Sequence, residues 1–182
     1  VMHLAGMKHA PDGKVDPQLA FQVHVVGTQN VLKAMPDAKV TVTSTCKSIQ
    51  PETCYGATKL LAERLVLNSG GSVARLYNTI ETGGNVFEFW AALDESADLP
   101  VTPCTRFFIT RDEAVALVLH ANQSAGRWVV NPGAPREMWA IASMLFPERR
   151  AIEVPARRGD RLVEPRIGAH EAIVEAAGAF ER

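Results

Sequence analysis

A tyrosine and a lysine stand four residues apart at Tyr55 and Lys59, and Thr45, Cys46 and Lys47 close a β-branched run shortly before them. A spacing of four puts two side chains on one face of a helix, so the phenol and the ammonium can serve one reacting centre. A phenol is a poor base, with a pKa of about 10, but a nearby ammonium favours the phenolate and lowers that value. Such a tyrosine can remove a hydroxyl proton while hydride leaves the same carbon, and a threonine hydroxyl can fix the oxygen during the transfer. Taken alone, the pair has a plain alternative: an ordinary helix with a surface tyrosine and lysine.

The elements that must position these groups can be read on either side of them. The opening VMHLAG is an apolar run ending in small residues, as where a buried parallel strand meets its loop. Leu19, Val23, Val26, Val31 and Leu32 recur at helical spacing over residues 17–34, with Asp16 and Pro17 as cap and first turn. Residues 39–44 predict a second strand with a polar tip. Residues 55–68 predict a second helix stopped by Gly70 and Gly71, and residues 72–77 a third strand. This alternation points to an α/β fold, a doubly wound parallel sheet with right-handed crossovers, whose ligands sit beyond the carboxyl ends of the strands.

Past Asn78 the pattern loosens into a smaller, substrate-facing region. It holds an amphipathic stretch at 86–93, an extended piece at 100–103 and a helix capped by Thr110 and Asp112 that runs through His120. A strand at 127–130, a helix at 136–146 and an Ala-rich helical tail at 171–180 follow.

The composition narrows the classes. At 182 residues, 47% hydrophobic and 21% charged, the chain can bury one sizeable core, which excludes disordered and fibrous classes. A net charge of -1 gives no electrostatic reason to expect nucleic acid or an anionic membrane as partner. The three cysteines, Cys46, Cys54 and Cys104, lack zinc-type spacing, so no metal site is expected and a reducing, cytoplasmic setting is. No apolar run reaches the roughly 18 to 20 residues of a membrane span, and no secretory signal pattern opens the sequence.

Six segments stand in one order: HLAGMKHAP (3–11), VVGTQNVL (25–32), STCKSIQPETCYGATKLLAE (44–63), RLYN (75–78), TRFFIT (105–110) and RRGDRLVE (157–164). Together they resemble the polysaccharide-biosynthesis branch of the extended short-chain dehydrogenase/reductases, specifically the UDP-N-acetylglucosamine 4,6-dehydratases and related epimerases. The resemblance implies a Rossmann-like sheet in which residues 1–80 are the later part of an NAD(P)-binding domain. Residues 81–182 are then a mixed substrate-binding region with returning sheet elements.

The same resemblance implies roles. Tyr55 is the base, Lys59 holds the nicotinamide ribose and depresses the tyrosine pKa, and Thr45 positions the reacting oxygen. Lys47 matches the lysine of the family's STDK segment. Ala5, Gly6 and Lys8 fall on the nicotinamide side of the cofactor, NAD or NADP, while Asn78, Arg106 and Arg158 face the UDP-sugar. In that family the bound cofactor oxidises C4, water leaves across C5 and C6, and hydride returns to C6.

Three departures qualify these expectations. Cys46 stands where the dehydratases carry an acidic aspartate, as a catalytic thiol or as packing; His24 stands where an asparagine is usual, and Tyr77 where a glycine is. No GxxGxxG occurs, because the sequence begins where the family's fourth strand lies. A homo-oligomer, or a partner supplying the missing N-terminal half, is therefore expected, and a catalytically silent binding or assembly protein is the competing reading.

Overall fold

The computed structural model describes residues 1–7, 16–156, 161–166 and 174–175. β1 (Met2–His3) leads to α1 (Pro17–Phe21), a π-wound stretch at Gln22–Val26, and α2 (Gly27–Ala34). β2 (Thr41–Thr45) ends in a 3-10 turn at Cys46–Ser48, followed by α3 (Cys54–Asn68) and β3 (Ser72–Leu76). Next come β4 (Asn78–Thr79), α4 (Val86–Ala92), β5 (Leu99–Val101), β6 (Thr105–Arg106), β7 (Phe108–Ile109) and α5 (Arg111–Ala121). β8 (Gly126–Val129), β9 (Arg136–Glu137), α6 (Met138–Leu145), β10 (Ala151–Glu153) and β11 (Val174–Glu175) complete the order.

Local chemistry sets most of these boundaries. The Asp16 carboxylate accepts from the amides of Gln18 and Leu19, with Pro17 at the first turn, as the sequence predicts. Thr53 caps α3 by accepting from Gly56 N. Thr110 caps α5 in a reciprocal box with Glu113, so Asp112 is not the cap. The helix expected from residue 136 begins at Met138, because Arg136 and Glu137 pair with β6 instead. Val174 and Glu175, expected in a helical tail, form a strand along β8, where ladder hydrogen bonds override alanine-rich propensity.

The main sheet is five-stranded and parallel, in the order β1-β2-β3-β8-β11, which is the doubly wound architecture expected. Strand alternation feeds two cores. Val73 on β3 packs with Val42 and Val66 beneath α2 and α3. Its neighbour Ala74 packs on the other face with Leu117 and Ala121 of α5. A further apolar cluster around Trp90, Leu99, Val101, Met138 and Ala142 joins α4, β5, α6 and β10. Among the described residues no helix is long and apolar enough to cross a membrane.

Two contacts fix α3 against the tip of β2. Glu63, 0% exposed, receives Arg75 through Nε at 3.2 Å and Nη2 at 2.6 Å, and Arg127 Nε at 3.0 Å. Ser44 Oγ donates to it at 2.5 Å, and Ser48 Oγ lies 2.6 Å from the same carboxylate oxygen. Burial alone would raise the Glu63 carboxyl, but the Arg75 guanidinium and the two hydroxyls outweigh it and hold the group below its ordinary value. One turn into α3, Gly56 lies so close to the 3-10 turn that a Cβ there would stand 2.3 Å from the Lys47 carbonyl oxygen.

Removing the Glu63 charge strands two buried guanidinium groups, so Glu63→Ala should cost about 3–5 kcal/mol in urea unfolding. Because the folded-state carboxyl is held low, the network's contribution is present at neutral pH and fades as pH falls through the folded-state value. An acid limb of the stability profile that survives in Glu63→Ala would contradict this account. Gly56→Ala should destabilise although alanine is the better helix former by about 1 kcal/mol, because backbone must move to admit the methyl group. A raised melting temperature in that variant would refute the close approach.

Candidate active site

At the carboxyl ends of β1, β2 and β3 the N-terminal half of α3 meets the strand tips. Tyr55, Lys59 and Glu63 follow one another at spacing four along one helix face. Gln50, with φ 48, turns the chain from the 3-10 turn toward α3. Thr45 Oγ1 accepts from Lys47 N at 3.2 Å and its side chain hydrogen-bonds Tyr55. The phenol is pushed up to about 12, first by burial and then by Cys46 beside it, with the Thr45 bond acting the other way. This reverses the direction expected from the Tyr55/Lys59 spacing, since desolvation of a phenolate dominates here.

The Lys59 ammonium is buried and donates to the Thr43 carbonyl at 3.2 Å. Burial lowers its pKa and the Glu63 carboxylate partly restores it. A Cβ on Gly6 would stand 2.8 Å from Lys59 Nζ, so the exposed backbone at Gly6 lies close to the ammonium. His24 is 1% exposed; its ring meets Tyr55 edge-on at 5.6 Å, accepts from Met7 N at 3.0 Å and bonds Thr58 Oγ1 at 2.9 Å.

Beside this group runs a cleft lined by Lys47, Glu52, Arg106, Arg161 and Glu164. Arg106 Nη1 donates to the carbonyls of Thr105 at 3.0 Å and Arg161 at 2.6 Å, and its Nε lies 3.6 Å from Glu164. Asn78 Nδ2 donates to the Phe107 carbonyl at 2.9 Å and to Glu164 at 2.8 Å. Glu164 thus ties together two of the three expected substrate residues, Asn78 and Arg106. Arg161 donates to Glu52 at 2.9 Å and to the Ile49 carbonyl at 2.8 Å. Cys46, 2% exposed, belongs to the core beneath α5, and burial with the Glu164 carboxylate pushes its thiol up to about 12. It is a protonated thiol at neutral pH.

The expected residues therefore gather in two adjoining sets: Gly6, Thr45, Tyr55 and Lys59, and next to them Lys47, Asn78 and Arg106. Lys8 and Arg158 lie outside the described residues. Sequence reasoning missed Gly56, Glu63, Arg161 and Glu164. Glu63 carried a signal, since it continues the Tyr55/Lys59 spacing by one more turn. The first set offers proton transfer at a hydroxyl or carbonyl oxygen, and the second offers cations to an anionic ligand.

Over 94% of its length the chain is 30% identical to the UDP-N-acetylglucosamine 4,6-dehydratase (inverting) of Campylobacter jejuni, of which it covers 57%. It is 29% identical, again over 94% of its length, to the UDP-glucose 4-epimerase of Rickettsia rickettsii, of which it covers 56%. The chain thus spans little more than half the length of these curated relatives. The Bordetella bronchiseptica enzyme WbmG, solved in complex with NAD and UDP, shares the fold at a TM-score of 0.72 and 18% identity, covering 89% of this chain and 61% of WbmG. Residues 1–176 match the family described as polysaccharide biosynthesis protein, and over that extent the chain belongs to it.

Proposed function

We propose that this chain carries the reacting centre and the nucleotide-sugar side of an NAD(P)-dependent enzyme that modifies a UDP-sugar, as a 4,6-dehydratase or epimerase of polysaccharide precursor synthesis. The observation that supports it most is the meeting of Thr45, Tyr55, Lys59 and bare Gly6 at the strand ends, one residue from a cationic cleft. Both curated relatives named above modify UDP-sugars. In this reading residues 1–80 belong to the cofactor-binding part and 81–182 face the sugar nucleotide.

The chain's own residues fit the nicotinamide end of such a cofactor. Gly6 presents no side chain toward Lys59, where a Cβ would stand 2.8 Å from Nζ, and the ammonium is able to donate to a ribose hydroxyl. When bound, NAD(P)+ would supply the hydride acceptor, and its positive ring favours the phenolate as an ammonium does. Tyr55 Oη, once its own proton has passed to solvent, would take the proton of the sugar hydroxyl as a phenolate, and Thr45 Oγ1 would hold the same oxygen in place. Lys47, Arg106 and Arg161 offer fixed donors to the diphosphate, where guanidinium forks match phosphate oxygens. That Cys46, Cys54 and Cys104 form no disulfide supports a reducing cytoplasm. Exposed Leu19, Phe21 and Leu61 on α1 and α3 support a homo-oligomer.

A silent binding or assembly role is the second reading, favoured by the high Tyr55 value and by a buried thiol at the position of an acid. Titration with NADPH and NADH bears on the two: saturable binding supports the enzyme, and no binding up to millimolar cofactor means that this chain alone is not an oxidoreductase. Tyr55→Phe should abolish turnover while leaving UDP binding unchanged; undiminished turnover would overturn the assignment. Arg161→Ala should weaken UDP binding about tenfold in calorimetry, the loss expected of a charge-assisted contact to phosphate. An unchanged UDP affinity would remove Arg161 from the diphosphate site.

A further inference from the structure

The segment from His3 to Met7 leaves β1 and carries the exposed residues Ala5 and Gly6 past Lys59. It is tied at both ends to the helical run on the α3 side of the sheet. At one end, His3 Nε2 lies 3.2 Å from Thr28 Oγ1. At the other, Met7 N donates to His24 Nε2 at 3.0 Å.

The hydroxyl partners settle the proton positions. Thr28 Oγ1 donates to the His24 carbonyl at 2.5 Å, so its single proton is spent and His3 Nε2 must be the donor to it. Thr58 Oγ1 has the Cys54 and Tyr55 carbonyls within 2.8 and 3.1 Å, so it gives its proton there and accepts from His24 Nδ1. One neutral tautomer of His24, protonated at Nδ1, therefore satisfies both bonds and leaves Nε2 free to receive Met7 N–H. A charged ring has no lone pair for Met7 and would set a second cation beside Lys59. Burial first, then Lys59 and His3, hold His24 down to about 4, which keeps the ring neutral through the ordinary pH range. The titratable groups facing it are Tyr55 and Lys59 from α3 and His3 from β1.

We propose that His24 is a positioning residue of this site: its neutral ring clamps the Ala5-Gly6-Met7 segment against Lys59 and aligns that segment with Tyr55. The same ring touches Tyr55 edge-on, and its Cδ2 would lie 3.8 Å from a Cβ on Gly6. One side chain thus joins the loop after β1, the π-wound stretch and the catalytic face of α3. The ligand consequence rests on the reading above that a nicotinamide binds there: losing the clamp weakens the cofactor end of the site and spares the diphosphate end.

The test uses His24→Phe, which keeps an aromatic ring but has no acceptor, and His24→Gln, whose amide oxygen can reach the place of Nε2 without titrating. In the full chain, Met7 amide exchange is followed by NMR, and NADPH and UDP affinities by calorimetry. His24→Phe should speed Met7 exchange and raise the NADPH Kd about fivefold, the worth of one buried hydrogen bond, with the UDP Kd unchanged. His24→Gln should restore both. Unaltered Met7 exchange in His24→Phe, or a parallel loss of NADPH and UDP affinity, overturns the clamp. If the wild-type chain binds no NADPH while Met7 exchange responds as stated, the clamp stands and the functional reading falls.

Discussion

Glu63 sits without exposed surface between Arg75, Arg127, Ser44 and Ser48, and the cost of burying those charges is offset only while every partner stays in place. Its partners come from β2, the 3-10 turn, β3 and β8, so a single carboxylate on α3 references the helix to three strands of the sheet. Ser44 and Ser48 bracket Thr45, Cys46 and Lys47. The strand tip that carries these three residues is therefore held from both sides by the same oxygen atom of Glu63. A rigid frame of this kind lets side chains two turns up the helix meet that tip in a fixed geometry.

Legibility in the sequence followed interaction range. The helix starts at Asp16-Pro17 and Thr110, the strand expected at 39–44 and found at Thr41–Thr45, and the Tyr55/Lys59 face all rest on contacts within a few residues, and the pattern exposes them. Glu164 meets Asn78 across 86 residues, and Arg161 reaches the Ile49 carbonyl across 112; nothing local in either segment announces such pairings. Gly56 looked like one small residue in YGATK, whereas its role lies in the approach of Lys47 backbone. The Tyr55 phenol shows the same limit in electrostatics. Spacing reveals that an ammonium is on the same face, but the burial that outweighs it depends on the whole fold.

The two halves of the site follow opposite electrostatic rules. Around Tyr55, Lys59 and His24 burial works against charge: the phenol is high and the imidazole low, so both are neutral near pH 7. In the adjoining cleft, which Lys47 also lines, Arg106 and Arg161 keep carboxylate partners, Glu164 and Glu52. Proton transfer profits from the first setting, where small changes in the surroundings move pKa values far. Recognition of an anion profits from the second, where guanidinium groups are already oriented before the ligand arrives.

The π-wound stretch at Gln22–Val26, where Gly27 N reaches back to the Gln22 carbonyl, accommodates about one residue more than an α-turn between the same flanks. His24 lies within that stretch, so the winding of the helix sets where its ring stands relative to Tyr55 and the Met7 amide.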